Sequence, residues 1–179
     1  MSSFYSQPEL EELGFNQVGH HVLISKKASF YGVQNISIGD HVRIDDFCIL
    51  SGYISLGSYI HISAYSALYG AKQIEMEDYS GLSPRCTVFS ATDDFSGGYL
   101  VGPMVPQELT NVIGGKVTIK QYSQIGAGSV ILPDLVIEDG VAVGAMSLIN
   151  ESLPAWGIYA GVPAKYLKPR NRITHSLLP

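Results

Sequence analysis

Along most of the chain an aliphatic residue returns every six positions. The run begins at Ile38, Ile44, Leu50, Leu56, Ile62 and Leu68, then continues after a shift of register at Met76, Leu82 and Val88. A second block keeps the period at Ile119, Ile125, Ile131, Ile137, Val143 and Ile149. Four residues after these positions stand small or aliphatic side chains: Val42, Cys48, Ile54, Ile60, Ser66, Ser80, Cys86, Ser123, Ser129, Leu135, Val141 and Ser147. A period of six fits neither a 3.6-residue helix nor an alternating strand. It fits a coil of very short strands, in which stacked neighbours share the burial that no single coil achieves. Gly or an acid often follows the aliphatic residue directly, as at Gly39, Asp45, Gly57, Glu77, Gly126, Glu138 and Gly144, and these residues suit the tight corners. Cys48 and Cys86 fall in the small inward column, which predicts buried, inert thiols.

The ends and the break are different in kind. Ser6, Pro8 and Glu9 read as a capping box with Pro in the first turn, followed by Leu10, Leu13 and Phe15 at helical spacing. This predicts a short helix that caps the open end of the coil. Between Asp93 and Gly115 the repeat stops, and the segment carries Phe95, Tyr99, Leu100, Val101, Met104 and Val105 among turn residues. So apolar a loop inside a solenoid is expected to be ordered, reaching a neighbouring subunit or covering a site. The organisation expected is one domain: helix and cap over 1–27, a first block over 28–92, the loop over 93–116, a second block over 117–162 and a C-terminal helix or tail over 163–179.

Composition narrows the class. With 179 residues and 46 % hydrophobic content, one domain with a sizeable core is expected. There is no signal-like segment and no run of about 18 apolar residues, so a soluble, cytoplasmic protein with reduced thiols and no membrane span is expected. A net charge of −5 argues against nucleic acid as a partner. Lys165, Lys168, Arg170 and Arg172 nevertheless gather near the C-terminus, either to meet a phosphorylated ligand or to solvate a tail.

The hexads over 36–170, with the closing run Tyr159-Ala160-Gly161-Val162-Pro163-Ala164-Lys165, resemble the hexapeptide-repeat acyltransferases. The resemblance implies an all-β solenoid, a left-handed parallel β-helix with three hexads per coil. It further implies acetyl-coenzyme A as co-substrate, no metal, and a homotrimer with active sites between subunits. Carried over residue by residue, Gly161 permits close approach to coenzyme A, Pro163 fixes the turn, and Lys165 and Arg170 supply cations to its phosphates. Gly126-Ala127 and Gly144-Ala145 lie in corresponding hexads and would stack beside the pantetheine arm. Apart from the resemblance, Gly and Pro at 161 and 163 could simply end the repeat, and small corner residues could be packing choices.

Sugar acetyltransferases of this group place a catalytic His where the loop opens, and here Asp93 stands at that position with Asp94 beside it. An ordinary carboxylate is a poor base for a sugar hydroxyl, whereas it can hold an ammonium that then loses its proton. The exchange points toward N-acetylation. His61, between inward Ile60 and Ile62, should face outward and is the candidate His from elsewhere, or else an ordinary surface residue; His41, His20, His21 and His175 rank below it. Tyr65, Tyr69 and Arg85 are candidate sugar or phosphate contacts, or else packing between subunits.

The chain is most similar to the polysaccharide-cluster acetyltransferases that act on dTDP-linked 4-amino-4,6-dideoxy sugars, through Phe4-Tyr5-Ser6, Glu9-Leu10, the Tyr65 to Gly70 run and Ala91-Thr92-Asp93-Asp94-Phe95. This implies N-acetylation of a nucleotide-linked amino sugar for surface polysaccharide or O-antigen. Competing readings are O-acetylation of a saccharide with His61 as base, and a non-catalytic β-helix scaffold. A zinc enzyme of the γ-carbonic anhydrase type requires three clustered His, which the spacing of His41, His61 and His175 does not supply.

Overall fold

The computed structural model describes residues 3–172. They form a parallel β-solenoid whose short strands stack on three faces, each coil taking eighteen residues where it is regular, as from Asp40 to Ser58. On the first face Ile38, Leu56, Met76, Ile119 and Ile137 stand in register; on the second, Ile24, Ile44, Ile62, Leu82, Ile125 and Val143; on the third, Leu50, Leu68, Val88, Ile131 and Ile149. All are buried, and so is the predicted second column, with Cys48, Ser66, Cys86, Ser129 and Ser147 at most 2 % exposed. The aliphatic columns supply the stability, about 1.5–3 kcal/mol for each side chain removed from water.

Small polar residues in the core are satisfied by one repeated device. Cys48 Sγ donates to the Ser63 carbonyl (3.2 Å), Ser66 Oγ to Ser83 (3.2 Å), Cys86 Sγ to Gly126 (3.3 Å) and Ser129 Oγ to Gly144 (3.2 Å). Thiol and hydroxyl are interchangeable in this ladder. Burial pushes the Cys48 thiol up to about 11 and raises Cys86 too, so both are poor nucleophiles.

The corners fall where Gly or an acid follows the aliphatic residue. The glycines after the aliphatic residue do not turn the chain with a positive φ. At Gly39 an added Cβ would lie 2.6 Å from the Gly57 carbonyl oxygen, and at Gly126 it would lie 2.5 Å from the Ala145 amide nitrogen. These residues are glycine because the next coil's backbone is that close. The left-handed residue comes two positions later and is commonly aromatic: His21, His41, Tyr59, Tyr79, Tyr122 and Trp156 on the edge between first and second faces, with Phe47 and Tyr65 between second and third. Such backbone costs about 1–2 kcal/mol per non-glycine residue. Ring stacking from coil to coil (4.7 Å for His21 on His41 and for His41 on Tyr59) contributes about 0.5–1.5 kcal/mol per pair and offsets much of it.

The register shift before Met76 is a widened corner. Gly52 pairs with Gly70 and Ile54 with Ile74, so Ala71, Lys72 and Gln73 stand opposite the single Tyr53. The Lys72 amide donates to Ser90 Oγ at 2.8 Å, tying this corner to the base of the interrupting loop. That loop opens with Ala91–Asp93, which pairs antiparallel with Val112–Gly114. At Gly114 (φ 146°) a Cβ would sit 2.4 Å from the Ser90 carbonyl oxygen, so only glycine closes the ribbon.

At the front, Gln7–Glu12 is the predicted helix, and its Leu10 is buried against the first coils. Glu9 accepts from the Ser6 amide (2.7 Å) and hydroxyl (2.8 Å) and pairs with Lys26 (2.6 Å). At the other end the structure corrects the expected helix or tail: Lys165–Pro169 is a strand antiparallel to Gly157–Ala160. It covers the last strand's free edge, which a helix could not pair.

Candidate active site

The edge between the second and third faces gathers most of the predicted residues. Asp45, Ser63, Ser83, Gly126 and Gly144 form one column, each amide donating to the coil above at 2.8–3.0 Å. Ala127 and Ala145 follow in the same corner, where the Met146 amide donates to the Ala127 carbonyl at 2.8 Å. The closing segment completes the column: the Gly161 amide (φ 110°) donates to Ser147 Oγ at 3.1 Å, and its carbonyl accepts from the Leu148 amide at 3.0 Å. Pro163, after a cis peptide bond, leads into Ala164, whose amide donates to the Leu148 carbonyl. The result is a continuous strip of small, half-buried or exposed residues along which an extended ligand could lie close to the backbone.

Lower on this edge, His61 lies beside Arg43 on the neighbouring coil, with their Cα atoms paired. Asp45 joins them, accepting from Arg43 Nε and bonded to His61 Nε2, each at 2.7 Å. Burial opposes the Asp45 charge, yet the bonds from Arg43 and His61 hold its carboxyl below the ordinary value. Tyr65 stacks on the Phe47 ring at 5.0 Å and has the Arg85 guanidinium 5.8 Å from its ring centre, while staying 56 % exposed. Tyr69 lies on the third face, stacked on Phe89 at 5.2 Å on one side and next to Ser51 on the other. His21 and His41 belong to the opposite aromatic edge, and His175 lies outside the described residues.

The two aspartates at the loop are not equivalent. Asp94 is committed to the loop: its carboxylate accepts from the Ser96 amide (2.9 Å) and Asn111 Nδ2 (3.0 Å), bonds that lower its pKa. The Asp93 carboxylate has no hydrogen bond or ion pair among the described residues, and it lines a hollow with Gly102, Val105, Gln107, Thr110 and Val112. Neither aspartate is bonded to His61 within the chain.

Near the C-terminus the basic residues divide. Lys165 makes one exposed ion pair, 3.1 Å to Glu151, a weak interaction that a phosphate could replace. Arg170 instead spends Nη1 on the carbonyls of Tyr122, Gly140 and Val141 (2.8–3.2 Å), and burial lowers its pKa. That geometry ties down the last coils and commits the Nη1 edge of its guanidinium to main-chain carbonyls.

Ser83 was not singled out from the sequence. Its signal was its register: it is a half-buried hydroxyl in the column that becomes Gly126 and Gly144 above, two positions before Arg85.

No family model matches the chain. It is 42 % identical, over 95 % of its length and 90 % of the relative's, to a dTDP-4-amino-4,6-dideoxy-D-glucose acyltransferase of Escherichia coli. Among solved structures, AntD, an N-acyltransferase from Bacillus cereus in complex with dTDP and 3-hydroxybutyryl-CoA, superposes with a TM-score of 0.94 at 57 % identity, covering 96 % of this chain and 92 % of that one. Variants of AntD altered at a serine and at an aspartate ten positions later have also been solved with dTDP and coenzyme A. A hexapeptide-repeat acetyltransferase from Vibrio cholerae, complexed with acetyl-coenzyme A, shares only 18 % identity but the same coil, at a TM-score of 0.66 over 91 % of this chain and 75 % of that one. With left-handed hexapeptide coils as its fold and these relatives at this coverage, the chain belongs to the family of dTDP-4-amino-4,6-dideoxy-D-glucose acyltransferases.

Proposed function

We propose that this protein transfers an acyl group from a coenzyme A thioester to the amine of a dTDP-linked amino-deoxy sugar. The observation that carries the reading is the uncommitted Asp93 carboxylate at the mouth of the loop, where a hydroxyl-acylating enzyme needs a base as strong as His. Ser83 and Asp93 have the spacing of the two positions altered in AntD. Asp93 holds the sugar ammonium, which gives its first proton to solvent water; the free amine then attacks the thioester carbonyl. The C–N bond forms, the C–S bond breaks, and the nitrogen's second proton leaves with the thiolate as coenzyme A. Ser83 Oγ is the side-chain donor assigned to the developing oxyanion.

The strip Gly126-Ala127, Gly144-Ala145 and Gly161 carries the pantetheine arm, with Lys165 toward the phosphates. The acyl donor is acetyl-coenzyme A, and 3-hydroxybutyryl-coenzyme A is the donor to compare with it. A homotrimer completes the site. Support comes from Phe95 and Met104, 75 % and 94 % exposed on the loop that bears Asp93, and from the absence of any bond between that loop's carboxylates and the His61 edge of the same chain. No helix among the described residues is long and apolar enough to cross a membrane. A cytoplasmic site of action and a product destined for surface polysaccharide follow from the family resemblance.

The test is thiol release from acetyl-coenzyme A with dTDP-4-amino-4,6-dideoxyglucose as acceptor. Release dependent on the amine supports the proposal. Equal release with a sugar hydroxyl would favour O-acylation with His61 as base, and no release or coenzyme A binding would leave a scaffold.

A further inference from the structure

Beyond Gly161 the chain forms a strap. Lys165–Pro169 leaves the edge that carries the strip, runs back along Gly157–Ala160 and delivers Arg170 to the opposite edge of the second face, where Tyr122 and Trp156 stand. Little holds the strap between its ends. It pairs on one side only, each of its five residues is exposed, and its register slips so that Leu167 faces no partner. A hollow of about 670 Å³, walled by Leu153, Trp156, Tyr159 and Tyr166, lies between the strap and the last coil, so the strap does not rest on a filled core. The ends are different. At the near end Ala164 is 2 % exposed and its amide donates to the Leu148 carbonyl at 2.8 Å. At the far end Arg170 joins three coils: its amide donates to the Trp156 carbonyl at 2.7 Å, and Nη1 donates to the carbonyls of Tyr122, Gly140 and Val141 at 2.8–3.2 Å. The Trp156 indole fills the side-chain place at Gly140, where a Cβ would lie 2.5 Å from it, and the Arg172 guanidinium covers the indole at 5.3 Å.

We infer that Arg170 is a positioning residue for coenzyme A: it pins the far end of the strap so that Lys165, at the near end, stands in place beside the strip. A strap released from Tyr122, Gly140 and Val141 has to be ordered when the ligand arrives, and the apparent affinity falls with the fraction of chains in which Lys165 is in place. The Arg170 charge then acts through the chain and not on a phosphate. Coenzyme A as the ligand rests on the acyl-transfer reading; the pinning itself rests on the hydrogen bonds of Arg170 to three coils.

The experiment is calorimetric titration of coenzyme A into the full chain, Arg170→Gln, Arg170→Lys, Lys165→Ala and the double variant of Lys165→Ala with Arg170→Gln, each first checked by its melting curve. Arg170→Gln should weaken coenzyme A about fivefold or more, and Arg170→Lys, whose ammonium can donate to the same carbonyls, should recover affinity to within about twofold of the parent. With Lys165 already replaced, Arg170→Gln should cost less than about twofold, because the two act as one unit. In turnover the loss should appear in KM for acetyl-coenzyme A, with kcat and KM for the nucleotide sugar little changed. Unchanged coenzyme A affinity in folded Arg170→Gln would overturn the inference, as would an equal loss with and without Lys165, the mark of a phosphate contact in its own right. If Arg170→Gln does not fold, hydrogen exchange in the parent decides: coenzyme A should slow the Arg170 amide together with that of Ala164, and protection of Ala164 that leaves Arg170 unchanged overturns the inference. If the parent releases no thiol while its coenzyme A affinity follows this pattern, the acyl-transfer reading fails and the pinned strap stands; a parent that binds no coenzyme A ends both.

Discussion

Asp93 and Asp94 are neighbours in sequence and unlike in environment, so substitution at the two should give different signatures. Asp93→Asn removes the negative charge from the only one of the pair free to meet an ammonium; turnover on the amino sugar should fall at least about tenfold, with affinity for coenzyme A unchanged. Asp94→Ala breaks the bonds to Ser96 and Asn111 and should act through the loop, making its amides exchange faster. The comparison is made with steady-state kinetics and hydrogen exchange over the loop; full turnover in Asp93→Asn removes that residue from catalysis. The sequence showed that a carboxylate replaces the expected His, but it could not show which one. The difference lies in Asn111, which reaches Asp94 only because the ribbon of Ala91–Asp93 and Val112–Gly114 folds back. Ser83 escaped notice for a related reason: its place below Gly126 and Gly144 depends on a coil that closes across the whole interrupting loop.

The coils themselves were readable because burial leaves a strict trace: every sixth residue is sealed against the coils above and below. The corners were located but not explained by the sequence: the glycine there marks close stacking, and aromatic residues take the left-handed positions. Gly126→Ala tests this distinction. If the glycine were only a flexible corner, alanine would be neutral or stabilising; with Ala145 main chain 2.5 Å from the added carbon, it should instead cost about 1–3 kcal/mol and spoil coenzyme A binding. Chemical denaturation and a binding titration read the two effects. The N-terminal helix gives a pH-dependent prediction. The Lys26 side chain above all, then the Ser6 amide and hydroxyl, hold the Glu9 carboxyl down to about 2 from an ordinary 4.5. Its contribution to docking the helix is therefore complete above about 4.5 and is lost as pH falls toward about 2. Glu9→Gln should be less stable than the parent at neutral pH, with the gap closing across that window. A gap that persists unchanged to pH 2 would show that the carboxylate's charge does not matter there.

At the scale of the molecule, the solenoid separates support from chemistry. Three buried columns and the Ser/Cys ladder hold the coils at fixed spacing, and one outer edge carries a strip of small residues, Ser83 and the Arg43–Asp45–His61 group. The loop with Asp93 leaves from a different edge, with Phe95 and Met104 exposed on it. Burial of Cys48 and Cys86, with both thiols raised above their ordinary range, also keeps the protein silent toward thiol reagents, so released coenzyme A can be followed directly. The most direct measurement is therefore thiol release from acetyl-coenzyme A with dTDP-4-amino-4,6-dideoxyglucose beside dTDP-6-deoxyglucose, which carries a hydroxyl in place of the amine. The account predicts release and an N-acylated product with the first and none above background with the second. Equal release from both, or none from the amine while dTDP and coenzyme A both bind, would contradict it.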